Sequence, residues 1–342
     1  TPLHSGVRVG FLFCIRKITM KYTKPYLDIP QQIELLQERG MIVTDAERAG
    51  NYLRRIGYYR LSAYWFPFRQ SSMVKDDDGK LRPAIGDAFR TGTEFSNVLA
   101  LYVFDKKLRL LVLDALERIE IALRTDVALL LGRKEPWAHR NPDMLHGNFA
   151  RRAKRDTGRT GHAEWLEKLD GTAARSREEF AQHFRGKYAE SDLPIWMAVE
   201  LLEFGALSHF LSGLTVADQD ALAGRYGLPR RELLTSWVRT LTFVRNVCAH
   251  HGRLWNRALI DQPKPPHSGE VPELDHLATD RFAQERIYAA MAIMRFMLNV
   301  INPTTSWAER LKAHVGTFPV APPVTFGNSG FPEVWDRLPL WQ

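Results

Sequence analysis

Arg245-Asn246-Val247-Cys248-Ala249-His250-His251 places a permanent cation, a carboxamide and two imidazoles within one short segment of the chain. A guanidinium can grip a phosphate through two parallel hydrogen bonds. An imidazole is the side chain best suited to take or give a proton near neutral pH. A cation for phosphate and an imidazole for proton transfer are the two requirements of metal-free RNA cleavage.

The surrounding pattern is helical. Pro229 sits where a helix would begin, and an apolar stripe of Leu233 or Leu234, Trp237, Leu241, Val244 and Cys248 carries it from Arg230 to about His250. Each residue of an ideal helix turns by about 100°, so Arg245 and His250 stand about 140° apart, whereas Asn246 and His250 share a face. Three arrangements satisfy this: the helix distorts near Ala249, Arg245 reaches around it, or a second protomer completes the site. Thr242, Asn246, Ala249 or His250, and Arg253 form a polar stripe away from the apolar one, which predicts a cleft or an interface. Charges at a helix C-terminus also favour its dipole, so spacing alone leaves a purely structural role open.

The rest of the chain supplies the scaffold. Asp28 caps a first helix that Gly40 stops, and Thr44 with Glu47 has capping-box spacing for a second, from Asp45 to Ile56. Gly57 to Phe68 holds six aromatics, which suit packing of a small N-terminal unit better than stacking on bases. A polar connection over 70–92 admits a hairpin. Thr93 then caps the longest periodic segment, with Phe95, Val98, Tyr102, Leu108, Val112 and Ile119 on one stripe until Gly132. That is a helix of about 35 residues, far above the usual 11–12.

Residues 133–175 lose periodicity and read as loops and short helices carrying the basic residues Arg151, Arg152, Lys154, Arg155 and Arg159. The cluster suits nonspecific phosphate binding or simply a solvated loop. Helices follow over 178–188 and 216–226. Another runs from Pro194 to Glu203, ended by Gly205 and continued with a kink over 207–211. A last core helix spans Asp280 to Asn299, with Phe282 on its apolar stripe. The tail, 304–342, is rich in Pro, Gly and Trp and is expected to wrap the bundle. The class is mainly α, organised as an extension or arm (1–20), an N-terminal helical and aromatic unit (21–92), a helical bundle (93–302) and a wrapping tail (303–342).

Lys and Arg number 47 against 39 Asp and Glu, a formal charge of +8, which tilts the partner toward an anion such as nucleic acid. Cys14 and Cys248 have no zinc spacing, and a reducing cytoplasm is the simpler reading than a disulfide. No apolar run approaches the roughly 20 residues of a membrane span. Val9 to Ile15 is too short for a signal peptide, and Met20-Lys21-Tyr22 reads as a natural start. No metal or cofactor is expected.

Several separated segments carry a family resemblance. Arg245 to His251 runs on into Gly252-Arg253-Leu254-Trp255-Asn256-Arg257. Leu36 to Gly40, Ile56-Gly57-Tyr58-Tyr59-Arg60-Leu61-Ser62-Ala63-Tyr64, Glu117-Arg118-Ile119-Glu120-Ile121-Ala122-Leu123-Arg124-Thr125 and the tail residues Gly330-Phe331-Pro332, Trp335 and Trp341 accompany it. Over about 21–342 the chain resembles the Abi-like abortive-infection proteins of bacteria, the AbiD/AbiF type.

The resemblance implies a HEPN (higher eukaryotes and prokaryotes nucleotide-binding) helical bundle. The HEPN motif is Arg, a polar residue and, three to five residues later, His; it falls on Arg245, Asn246 and His250. His251 supplies a second register. The resemblance also implies a metal-independent endoribonuclease of phage defence, acting as a homodimer with a composite site and associating with RNA, a small non-coding RNA or an antitoxin. Glu120 and Arg124, one turn apart, either face the same cleft as Arg245 or form an ordinary salt-bridged face. A rival reading is an RNA-binding or partner-sensing module whose site is idle or regulatory.

Overall fold

The computed structural model describes residues 22–76, 79–190 and 192–342. The expected N-terminal arm, its Met20 start and Cys14 lie outside the described residues.

The N-terminal unit contains α1 (Ile29–Glu38), α2 (Ala46–Ile56) and α3 (Tyr58–Trp65), followed by an antiparallel hairpin of β1 (Arg69–Lys75) and β2 (Leu81–Phe89). Asp28 caps α1 through a capping box with Gln31. The cap of α2 is Asp45, whose side chain accepts from the Arg48 N–H, rather than Thr44. A carboxylate beside the helix N-terminus gains from the dipole as well as the hydrogen bond, so it displaces the hydroxyl. Of the six aromatics of 57–68, Tyr64, Trp65 and Phe68 are buried and Tyr58 packs against them, while Tyr59 and Phe66 stay exposed.

α4 (Phe95–Gly132) spans 38 residues. It begins one residue later than its expected cap, because the Thr93 hydroxyl donates to the Arg90 carbonyl and Glu94 takes the cap position. α4 is the central post of the fold and packs against α3 and several later helices. Its buried residues fall on a continuous stripe from Phe95 to Leu131.

The segment 133–175 is more ordered than its lost periodicity predicts. It holds the short α5 (Gly147–Ala150) but also α6 (Gly161–Arg175), 15 residues long and capped by Thr160. α6 buries only a narrow stripe, chiefly His162, Trp165 and Leu169, so its apolar signal is thin. α7 (Glu179–Lys187) and α8 (Ile195–Ala198) follow. The helix expected from Pro194 to Glu203 breaks instead after a 3₁₀ turn at Val199–Leu201, and α9 (Phe204–Gly213) starts afresh with Gly205 inside it.

α10 (Val216–Arg225) and α11 (Arg231–Ala249) complete the middle of the bundle. The last core helix is in pieces. α12 (Asp275–Thr279) and α13 (Arg281–Glu285) precede α14 (Ile287–Ile301), and extended backbone at Arg286 separates the latter two. Phe282 therefore lies outside the core helix and is 49% exposed. The tail contains one helix that sequence periodicity missed, α15 (Trp307–Val315).

The tail wraps the bundle. Trp307 Nε1 donates to the Leu111 carbonyl of α4 at 2.8 Å, and Trp341 Nε1 donates to the Tyr288 hydroxyl of α14 at 3.2 Å. Two apolar clusters result. The larger fills the bundle; the smaller joins Tyr64, Trp65 and Phe68 to the start of α4, to Trp255 and to Ala321 and Val324 of the tail. Among the described residues no helix is long and apolar enough to cross a membrane.

Candidate active site

α11 ends inside the motif. Its last helical residue is Ala249, and His250 is the C-cap with φ −86°. His251 then adopts left-handed backbone, φ 58°. The His251 N–H donates to the Cys248 carbonyl at 3.0 Å and the Gly252 N–H to the Val247 carbonyl at 2.8 Å. These two bonds make a Schellman motif with histidine in the position that glycine normally takes. The regular helix stops at Ala249, yet the His250 N–H still donates to the Asn246 carbonyl at 3.0 Å, so this ending does not by itself bring His250 to the face of Arg245. His250 and His251 are both exposed.

The corner is pinned by groups far away in sequence. Arg60 of α3 donates to the His251 carbonyl at 2.7 Å, and Arg109 of α4 to the Gly252 carbonyl at 3.2 Å. Asp105, fully buried on α4, accepts the backbone N–H of Leu254 and of Trp255. It also accepts the Tyr64 hydroxyl at 2.7 Å and pairs with Arg109 at 2.5 Å. Burial and the Asp105 carboxylate push the Tyr64 hydroxyl up, so it remains a proton donor. A buried carboxylate with this many donors is fully compensated.

Beyond the corner, Asn256 also has left-handed backbone, φ 53°, and its side chain accepts from Arg286 at 3.0 Å. Gly330 of the tail packs against the same Arg286; a Cβ there would sit 2.5 Å from the Arg286 Cβ. Two of the segments that carry the family resemblance, 56–64 and 330–332, thus converge on the chain just after His250. Asp105, Arg109, Arg60 and Tyr64 were not singled out as site residues from the sequence. The available signal was a pair of opposite charges four apart, Asp105 and Arg109, embedded in the apolar stripe of the long helix between Phe104 and Val112.

Arg253 is not part of a polar outer stripe. With the helix ended at Ala249 it turns inward, and its guanidinium donates to the Ala63 carbonyl at 2.5 Å. Burial holds its pKa below the ordinary arginine value.

Arg245 and Asn246 touch, at 3.4 Å between Nη1 and Oδ1, and then diverge. Arg245 lines a groove against α4 with Leu110, Leu113, Glu117, Glu120, Ile121 and Arg124. Asn246 lines a different groove, against α9. Glu120 and Arg124 do both things expected of them in alternative: they pair at 2.5 Å, and they face the Arg245 groove. Arg124 also donates to the Leu202 carbonyl at 2.6 Å. Burial raises the Glu120 carboxyl above its usual range, against the pull of Arg124 and Arg245. Among the described residues Arg245 has no ion-pair partner, and His250 has no side-chain hydrogen bond.

In the basic loop, Arg151 pairs with Asp143, Lys154 with Glu164 at 2.5 Å and Arg159 with Glu167 at 2.6 Å. Arg152 and Arg155 are exposed and have no such partner among the described residues. Cys248 is buried, and its thiol is pushed up to about 12 by burial and by Asp105, so it is no nucleophile. No cluster of three His, Cys, Asp or Glu among the described residues is arranged to hold a metal ion.

Fold and site together define a mainly helical protein with an exposed, rigidly anchored Arg-Asn…His-His helix end. The family model described as Abi-like protein matches residues 51–256, more than half of the chain, and the chain belongs to that family. The match runs from α2 to Asn256, so it contains the Asp105 hub and the whole helix end. Membership points to abortive infection, a bacterial defence against phage. No curated protein and no solved structure matches the chain.

Proposed function

We propose that the chain is a metal-independent endoribonuclease of abortive infection, a HEPN-type bundle of the AbiD/AbiF kind. The observation that carries this reading is one helix end that presents an unpaired guanidinium, Arg245, and an exposed imidazole, His250, on an anchored corner. An unpaired cation at a groove is free for a phosphate, and an exposed imidazole beside an anchored backbone is accessible for proton transfer.

In this reading the RNA's own 2′-oxygen attacks the adjacent phosphorus and the bond to the 5′-oxygen breaks. His250 takes the 2′-hydroxyl proton or returns one to the leaving 5′-oxygen. Arg245 neutralises charge growing on the phosphoryl oxygens, and Asn246 orients the phosphate or His250. His251 is the alternative imidazole. Products are a 2′,3′-cyclic phosphate and a 5′-hydroxyl. Arg245 and Asn246 face different grooves, so a second protomer completes the site. Leu110 and Ile121, 59% and 52% exposed beside the Arg245 groove, are suited to meet it.

The test is RNA end-mapping of the wild type against His250→Ala and Arg245→Ala. Each substitution is expected to lower cleavage by about 10²–10⁴-fold, with the fold retained. Activity must persist in EDTA, and cleavage of a substrate that is 2′-deoxy at the scissile position would sink the mechanism.

A further inference from the structure

The groove on the Asn246 side of α11 has features that the proposed chemistry does not use. It lies between α9 and α11 as a cavity of about 430 Å³. From α11 it is lined by Thr235, Arg239, Thr242, Phe243 and Asn246. Arg239, Thr242 or Phe243, Asn246 and His250 repeat at three and four, so they run along one face to the helix end. From α9 it is lined by Gly205, Ser208, His209 and Ser212. The walls are therefore mostly hydroxyls, amide and imidazole, with one aromatic ring. Arg239 is exposed and has no ion-pair partner among the described residues. Asp261 is the one carboxylate in the lining.

A Cβ on Gly205 would lie 3.7 Å from Thr242, which puts the start of α9 beside the later half of α11. The end of α9 meets the basic loop: the His146 N–H donates to the Gly213 carbonyl at 2.9 Å, and the Phe149 ring stands 5.2 Å from that of His209. Burial and the nearby ammonium groups of Lys154 and Lys168 hold the His209 imidazole below its ordinary value. The groove thus opens at one end on the basic loop and at the other on the helix end. From Arg239 to His250 is about 16 Å at 1.5 Å per residue.

From this placement we infer that the α9/α11 groove is a track for single-stranded RNA, leading from the basic loop past His209 and Arg239 to His250. The inference rests on the ribonuclease reading for what happens at the far end. A cleft between two packed helices, whose axes lie about 8–10 Å apart, is too narrow for a duplex. It does admit a single strand, whose phosphates Arg239 and the unpaired Arg155 of the basic loop neutralise and whose unstacked bases and 2′-hydroxyls meet Phe243, His209 and the Ser and Thr hydroxyls. Arg239 is a positioning residue here, because it stands about 16 Å from the imidazole.

The test uses the full chain carrying His250→Ala, so that RNA is bound without being cut, and a short fluorescein-labelled single-stranded RNA read by anisotropy. Arg239→Glu and Arg155→Glu are each expected to raise Kd about tenfold, and Arg239→Ala to lower the slope of log affinity against log salt by about 0.7, one phosphate contact on a single strand. Ser208→Trp fills the groove without changing charge and is expected to weaken binding too. Arg48→Glu makes the same charge change at the N-terminal unit and is expected to leave Kd within about twofold.

If Arg48→Glu weakens binding as much as Arg239→Glu, only net charge is being read and the track is refuted. Equal dependence on Arg239 for a duplex of the same sequence refutes the single-strand assignment. The two readings fail separately. Cleavage and binding that are indifferent to Arg239→Glu overturn the track alone. Arg239-dependent binding by a wild-type protein that never cuts RNA overturns the ribonuclease alone.

Discussion

Asp105 accepts the backbone N–H of Trp255 at 2.6 Å across 150 positions of sequence. That contact ties the middle post of the fold to the segment that follows the motif, and with the Leu254 N–H it fixes where the chain goes after His251. The His250–His251 corner is exposed, yet its backbone is held from three sides by Arg60, Arg109 and Asp105. A backbone held beside an exposed imidazole narrows the positions from which it can transfer a proton.

Removing the Asp105 carboxylate leaves Arg109 buried without its counter-charge and frees two backbone donors. Asp105→Ala is expected to cost about 3–5 kcal/mol of stability, read as a shift of the urea midpoint. RNA cleavage should fall in the folded fraction as well. A folded Asp105→Ala protein with full activity would show that the hub does not position the corner.

His251 occupies a left-handed position that favours glycine. His251→Gly is expected to leave stability unchanged or raise it by about 1 kcal/mol. If His250 is the acting imidazole, His251→Gly also keeps its cleavage activity. Loss of activity in His251→Gly with normal stability would assign the chemistry to His251 instead.

The exposed pair beside the Arg245 groove supports a dimer test. Leu110→Glu with Ile121→Glu is expected to shift the protein to monomer in light scattering and to reduce cleavage with it. A double variant that remains dimeric moves the interface elsewhere.

Acid should unfold the protein from within the bundle. His139 is fully buried, with neither ring nitrogen hydrogen-bonded, and burial together with Arg140 and His162 pushes it down to about 3. His162, His209, His276 and His314 are also lowered, burial being the first cause in each. The unfolded chain then binds more protons than the folded one between about pH 6.5 and the depressed folded values, so stability rises with pH across that window. For His139 this amounts to at most about 1.4 kcal/mol per pH unit between about pH 6.5 and 3. Thermal melts should show a steep loss from pH 6.5 downward, and His139→Phe should flatten it.

Long periodic elements were legible in the sequence. α4, α11 and the cap at Asp28 follow from local rules. Elements hidden from periodicity are short or thinly buried: α6 shows one narrow apolar stripe, and the break at Arg286 coincides with a backbone bridge to Ala258 rather than with any breaker residue. The family to which the chain belongs was visible in separated motifs, two of which, 56–64 and 330–332, meet just after His250.

By itself the sequence determined the helical class, the long central helix and the pairing of a phosphate-binding cation with two imidazoles, since periodicity and residue chemistry are local properties. The tertiary structure alone decided that Arg253 turns inward, that Arg245 and Asn246 part into different grooves, and that His250 stands at a pinned corner. Those outcomes depend on Asp105, Arg109, Arg60 and Tyr64, whose partners lie across the fold. Compensating a buried charge is a contest among every donor the folded chain brings near it, and spacing along the chain does not record which donors those are.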